Sequence, residues 1–337
     1  QHSLSNGLYC EPKDFQLTDG DVARVQAYME KLVREERDIG RERKDWDEAT
    51  SMFMSRGRLD MIDLLRYYPP QPFKVYQLDG YEENFYLPLV ENTKTLKQFK
   101  LMKYQEGLVI LFPNFLRPSP QGIIDFVDKP KLYATYKEYR SWSQILKVRT
   151  VGQLNRHIMS GEVIDLIKVG EALHEKKVAQ IADTIKNRKK IPKAILISGP
   201  SSSGKTTFSL RLKTQLMVNG LQPINISLDD YFVDRELNPK DENGNYDFEC
   251  LEAVDTELFN KQLLSLVNGH EVEIPRYDFR TGSRKPHGRM LKLGDNQILT
   301  IEGIHALNPK LTNLLSDEDK FRIYIAPLTQ LNMHNHD

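Results

Sequence analysis

Residues Gly199 to Thr206 read Gly-Pro-Ser-Ser-Ser-Gly-Lys-Thr. This octapeptide satisfies G-x-x-x-x-G-K-[ST], the pattern of a loop that wraps around phosphates, and it constrains the fold more than any other feature of the chain. A chance match in a chain of this length is expected roughly once in a hundred. The setting lowers that further: the apolar run Ala194 to Ile197 predicts a strand in front of the loop, and Thr207-Phe-Ser-Leu-Arg-Leu212 opens a predicted helix, Lys205 to Asn219, behind it. The chemistry needs each part. Glycine lets the backbone turn its N–H groups inward, and a helix N-terminus adds partial positive charge beside the phosphates. The pattern assigns Gly199, Ser201, Ser202, Ser203, Gly204, Lys205, Thr206 and Thr207 to phosphate binding. Lys205 is expected to reach the β- and γ-phosphates of ATP, and the Thr206 hydroxyl to hold Mg²⁺.

Two further signals follow in the same half. Pro223 to Leu228 predicts a strand that runs into Asp229 and Asp230. Ligands of an open parallel sheet lie at the carboxyl ends of its strands, so Asp229 is expected to face the γ-phosphate from the strand next to the loop's own, as a base for an attacking hydroxyl. Ile298 to Ile301 is an apolar run ending in Glu302 and Gly303, where a carboxylate supporting Mg²⁺ belongs. With Phe321 to Ile325 as another buried strand, the strands alternate with helices. That pattern reads as a doubly wound α/β fold, a parallel sheet covered on both faces, from residue 191 to 337.

At 337 residues the chain is long enough for two domains. The first half predicts helices over Asp19 to Asp38, Asp45 to Ser55 and Leu59 to Tyr67. Strands follow over Phe73 to Leu78, Tyr86 to Val90, Lys97 to Tyr104 and Leu108 to Phe112, the last two joined by a hairpin at Gly107. This makes an α+β domain over residues 1–130. A helical linker over 131–190 follows, with helices at Lys131 to Leu146, Val151 to Met159 and Ile164 to Arg188. The basic run Lys186, Arg188, Lys189, Lys190 reads as a solvated helix end. The 47 basic residues balance 47 acidic ones, which argues against broad capture of DNA or an anionic membrane. No apolar run approaches bilayer length. Cys10 and Cys250 are too few for a disulfide framework, the first residues have no signal-peptide pattern, and a cytoplasmic protein cut from something longer is expected.

The order Gly199–Thr206, Ser227-Leu-Asp229-Asp-Tyr-Phe, Tyr246-Asp-Phe-Glu249, Ile274-Pro-Arg-Tyr277-Asp-Phe, Ile301-Glu302-Gly303 resembles the uridine kinase branch of the phosphoribulokinase/uridine kinase family. The resemblance covers residue 191 to the end. It implies transfer of the γ-phosphate of ATP to the 5′-hydroxyl of uridine or cytidine, with Asp229 as catalytic base and Glu302 on the Mg²⁺ side. It implies that Glu249 holds the ribose hydroxyls, that Phe248 and Tyr277 pack on the base, and that Arg284 is a substrate-binding cation. A homo-oligomer is also expected.

Three departures stand out. Gly282 occupies the place where pyrimidine-specific members carry a base-reading histidine, with His287 as a nearby substitute. Glu249 replaces aspartate. Only Gly303 to Asp337 follow the Glu302 strand, so an arginine-bearing lid and a last strand are expected to be missing, and His334 and His336 to lie in a frayed terminus. Other acceptors remain open, ribulose phosphate or pantothenate with Arg235, Arg276 or Arg280 as extra cations.

The first half is similar, through Asn6-Gly-Leu-Tyr9, the helix after Thr18 and Phe99-Lys-Leu-Met102, to the second N-terminal domain of threonyl-tRNA synthetase. Phe85-Tyr-Leu-Pro-Leu89 has neither His nor Cys where that domain's second pair falls, so no zinc is expected. An RNA contact through this half, with the second half as a nucleotide switch, is the competing reading.

Overall fold

The computed structural model describes residues 2–12, 15–113, 122–123, 125–326 and 331–335. The chain forms two compact units, residues 1–168 with 330–337, and residues 169–329.

The first unit holds two antiparallel sheets. Strands β1 (His2–Leu4) and β2 (Gly7–Cys10) pair with β6 (Lys100–Tyr104) and β7 (Gly107–Leu111) in the order β1-β2-β7-β6. Alternation along β7 explains how this sheet is covered. Leu108 and Ile110 pack with Leu17, Val22 and Met29 of helix α1 (Asp19–Arg34) and its approach. Val109 and Leu111 point the other way, toward Tyr9, Tyr104 and the residues Leu132 and Tyr133 of α4 (Pro130–Leu146). Thr18 starts α1 with a reciprocal capping box to Asp21. The second sheet is β3 (Gly40–Lys44), β4 (Phe73–Leu78) and β5 (Tyr81–Asn84). Its Phe73 packs with Ala49 and Phe53 of α2 (Trp46–Ser55), with Met61, Leu64 and Leu65 of α3 (Leu59–Leu65), and with Val151 of α5 (Val151–Met159). Helix α5 lies so close to α3 that a Cβ on Gly152 would meet the Leu64 nitrogen at 2.7 Å.

Several expectations change here. Tyr86 to Val90 is not a strand; the pairing strand is β5, just before it. Pro88 has no N–H to give a ladder, and Leu87 is 78% exposed. Strands β1, β2 and β3 were not foreseen. The first two form a hairpin whose turn, Ser5-Asn6, runs into Gly7, so the Asn6-Gly7 dipeptide was the available signal. Helices α4 and α5 fall within the first unit by residue number, and α6 (Val163–Lys186) spans residue 168, where the first unit's range ends. Residues 331–335 are not frayed. Asn332 accepts from the Val151 N–H at 2.9 Å, and the Asn335 N–H donates to Asp60 at 2.7 Å. His334 is 3% exposed, its ring 5.9 Å from that of Tyr86. His336 lies outside the described residues.

The second unit is built on a four-stranded parallel sheet in the order β15-β8-β14-β9, with β8 (Ala194–Ser198), β9 (Gln222–Ser227), β14 (Gln297–Glu302) and β15 (Lys320–Tyr324). All five residues of β8 are buried. Ile195 and Ile197 face α6 and α7 (Lys205–Val218) through Val178, Ala182, Ile185, Leu212 and Leu216. Ala194 and Leu196 face α8 (Thr256–Val267) through Phe259, Leu263 and Leu266. The sheet is therefore covered on both faces, which is why its central strands read as unbroken apolar runs. Helix α8 was missed, although Asp255 caps it and Phe259, Leu263 and Leu266 recur at helical spacing. Two short antiparallel ribbons complete the unit: β10 (Val272–Ile274) with β13 (Arg289–Leu291), and β11 (Tyr277–Asp278) with β12 (Ser283–Arg284). Among the described residues no helix is long and apolar enough to cross a membrane.

Candidate active site

The loop after β8 takes the shape its glycines permit. Ser202 and Gly204 sit at φ 57° and 83°, in left-handed backbone, and Gly204 opens α7. Gly199 is required by crowding. A Cβ there would meet the Ile325 carbonyl at 2.5 Å and the Ser203 hydroxyl at 2.8 Å. The Lys205 ammonium donates to the Pro200 carbonyl at 2.8 Å, folded back over its own loop.

Four side chains converge at the carboxyl ends of the strands. The Thr206 hydroxyl donates to Glu302 at 3.3 Å, joining the start of α7 to the end of β14. The other Glu302 oxygen is buried without a partner. Burial pushes the Glu302 carboxyl up; the Thr206 hydrogen bond and Lys205 pull it down, while Asp229 adds to the rise. Asp229 follows β9 at the open mouth of the crevice. The protein crowded around it strips away enough water to push its carboxyl up, Lys205 opposes this, and the neighbouring Asp230 reinforces it. Each group thus lies within electrostatic reach of Lys205. The strand order corrects one expectation: β14 lies between β8 and β9, so Asp229 reaches the site from two strands away, with Glu302 in between. Gly303 allows that approach, since a Cβ on it would meet the Leu228 side chain at 2.7 Å.

The other residues named from sequence take varied places. Ser201 donates to Glu249 at 3.4 Å, so Glu249 lies against the phosphate loop. Phe248 is 39% exposed and packs edge-on against Phe232, whose ring also meets Tyr277 at 5.6 Å. Tyr277 is buried, and its hydroxyl has no partner. Arg284 is held by the protein itself, donating to the carbonyls of Tyr231 and Phe232 and to Asp255, each at 3.0 Å. It pins the segment that follows Asp229. Thr207 is exposed on the first turn of α7, and His287 is exposed beyond β12.

Residues 194–336 match the Phosphoribulokinase / Uridine kinase family. Over 120 residues the chain is 38% identical to Inorganic pyrophosphatase TTM2 of Arabidopsis thaliana, a stretch that makes up 35% of this chain and 16% of that protein. It is 37% identical over 125 residues to the uridine kinase of Schizosaccharomyces pombe, covering 35% of this chain and 26% of the relative. With the uridine kinase of Ligilactobacillus salivarius it shares 33% identity over 130 residues, 38% of this chain and 59% of that one. The chain therefore spans less than two thirds of the length of each of these relatives.

Within this family-matching domain, three side chains that the sequence reading passed over or used otherwise prove structural to the site. Asp230 accepts from the Tyr277 N–H at 3.3 Å and so ties β11 to the segment carrying Asp229. Asp255 caps α8 and pairs with Arg284. Arg235 donates its backbone N–H to the Gly282 carbonyl and its guanidinium to the Phe279 carbonyl, both at 2.8 Å. Asp230 stood beside a named carboxylate and Asp255 before a helical repeat. Nothing local marked the Arg235–Gly282 contact, which joins residues 47 positions apart.

Proposed function

We propose that the second unit transfers the γ-phosphate of ATP to a hydroxyl of a small acceptor, with the 5′-hydroxyl of uridine or cytidine as that acceptor. The observation that carries this reading is the convergence of Lys205, Thr206, Asp229 and Glu302 at the strand ends, with one Glu302 oxygen buried and unpartnered. A buried carboxylate oxygen left alone is costly, and a divalent cation relieves it. The residues fit Mg²⁺: hard oxygen donors from Thr206 and Glu302 would hold it beside the phosphates. There it supplies positive charge to the transferring phosphoryl group.

The chain's own groups divide the remaining work. The backbone of Gly199 to Thr206 holds the phosphate oxygens, and Lys205 leaves the Pro200 carbonyl for the β- and γ-phosphates. Asp229 takes the proton from the acceptor hydroxyl as its oxygen attacks the γ-phosphorus. The bond from the γ-phosphorus to the bridging oxygen breaks and ADP leaves. Phe248 and Tyr277 offer aromatic surface to the base, and Glu249 passes from Ser201 to the ribose hydroxyls. Arg284 acts as a positioning residue through the backbone after Asp229. The Arabidopsis relative is named an inorganic pyrophosphatase, which makes water a second acceptor to test.

The test is ADP and phosphate release by the full chain with ATP, Mg²⁺ and, in turn, uridine, cytidine, ribulose 5-phosphate, pantothenate or no acceptor. Turnover with a nucleoside is expected, falling about 10²- to 10⁴-fold in Asp229→Asn. ATP binding without acceptor-dependent ADP release would overturn the reading, and phosphate release in a separate run with pyrophosphate in place of ATP would replace it.

A further inference from the structure

The ribbon β11–β12 has a feature unlike its surroundings. Gly282 is buried with φ 72°, in left-handed backbone where side chains are strained. A Cβ on it would lie 2.7 Å from Nε, 2.8 Å from Cζ and 2.9 Å from Cβ of Arg235. The guanidinium of Arg235 therefore fills the room in which a side chain at position 282 would begin. It is fixed at both ends, by its own N–H on the Gly282 carbonyl and by one guanidinium nitrogen on the Phe279 carbonyl. Among the described residues no other hydrogen bond or ion pair of this side chain is recorded.

The neighbours of Arg235 point to a ligand. Burial raises the Tyr277 hydroxyl and the Arg235 charge opposes that rise, which puts the guanidinium close to it. That hydroxyl is buried and has no hydrogen-bond partner among the described residues, so a polar group entering beside it would relieve a cost. The rings of Tyr277, Phe279 and Phe232 meet edge to face, with centroids 5.1 to 6.1 Å apart. Phe279 remains 60% exposed, which leaves an aromatic face for a planar group to stack on. Through Asp230 the ribbon is joined to the segment that carries Asp229.

We infer that Arg235 reads the base of the acceptor nucleoside and selects bases that present a carbonyl oxygen over bases that present an amino group at that edge. This rests on the nucleoside reading of the same site and adds a residue and a direction of preference to it. The reason lies in the donor inventory. A guanidinium has five N–H donors and no acceptor. It bonds the uracil O4 and opposes the cytosine N4 amine donor to donor. Loss of one such base contact changes discrimination by about 10-fold or more.

The experiment is the ratio of kcat/KM for uridine and cytidine in the full chain and in two variants. The wild-type protein is expected to favour uridine by about 10-fold or more. Arg235→Gln, whose amide both donates and accepts, is expected to bring the ratio close to one. Arg235→Lys, still a donor alone, is expected to keep the preference for uridine. Equal use of both nucleosides by the wild-type protein, an unchanged ratio in Arg235→Gln, or the same collapse in both variants would overturn the inference while leaving the nucleoside kinase standing. If neither nucleoside is phosphorylated, the nucleoside reading falls and this one with it.

Discussion

The two units each hold a pair of carboxylates beside a cation, and they treat them in opposite ways. In the first, Asp60 and Glu83 are gathered on the Arg58 guanidinium, which bonds both. Burial pushes the Asp60 carboxyl up, but Arg58 and the Asn335 N–H outweigh it and hold the group at about 2. In the second, Asp229 and Glu302 share the reach of Lys205, which is turned toward a backbone carbonyl. Burial wins and both carboxyls are raised. Charges that the protein itself neutralises hold a fold together. Charges left raised, with a buried oxygen unmatched, are arranged for a ligand that brings the missing charge.

That contrast can be broken from either side. The largest effect is expected in the first unit. Arg58→Ala strands two buried carboxylates and should cost about 3–5 kcal/mol of stability, read by denaturant unfolding, while ATP affinity measured by calorimetry stays unchanged. Lys205→Ala should do the reverse, lowering kcat about 10²- to 10³-fold, or about 3–4 kcal/mol, with an unaltered unfolding midpoint. A comparable loss of stability in Lys205→Ala would erase the distinction. Gly152→Val forces a side chain into the backbone of α3 and should destabilise the first unit by about 1–3 kcal/mol; an unchanged melting curve would show that α3 and α5 can separate freely.

The smallest effect separates the two carboxylates by pH. Asp60 is depressed in the folded state, so its stabilising contribution is complete above its unfolded value of about 3.9 and is lost as pH falls through about 2. Asp229 is raised, so its protonated form, which the proposed mechanism makes inactive, persists to higher pH than in a free aspartate. The acid limb of kcat/KM is therefore expected above about 4. A limb at or below that value would mean that Asp229 is not the group that titrates.

The sequence was legible where structure is local. The glycines, Lys205 and Thr206 of the phosphate loop lie within one octapeptide, and backbone geometry there leaves little freedom. The central strands of the parallel sheet were legible because burial on both faces leaves mostly apolar residues in β8 and in the middle of β14. Helices α1, α2, α4 and α5 followed from the spacing of their residues. The first unit was harder to read because its sheets are antiparallel and non-local. Strand β2 pairs with β7, about a hundred residues away, and β3, Gly-Arg-Glu-Arg-Lys, carries no apolar alternation to announce it.

By itself, then, the sequence determined the doubly wound α/β fold, the phosphate loop, and the placing of Asp229 and Glu302 at the ends of their strands, because contiguous residues carry those signals. Tertiary structure alone decided the strand order that places Glu302 between the loop and Asp229. It also decided the capture of Arg284 by backbone carbonyls, the seating of His334 against Tyr86, and the Arg235 guanidinium in the room beside Gly282. Each of these depends on a contact between residues far apart in the chain, and pairing, packing and desolvation at such contacts are set only when the segments meet.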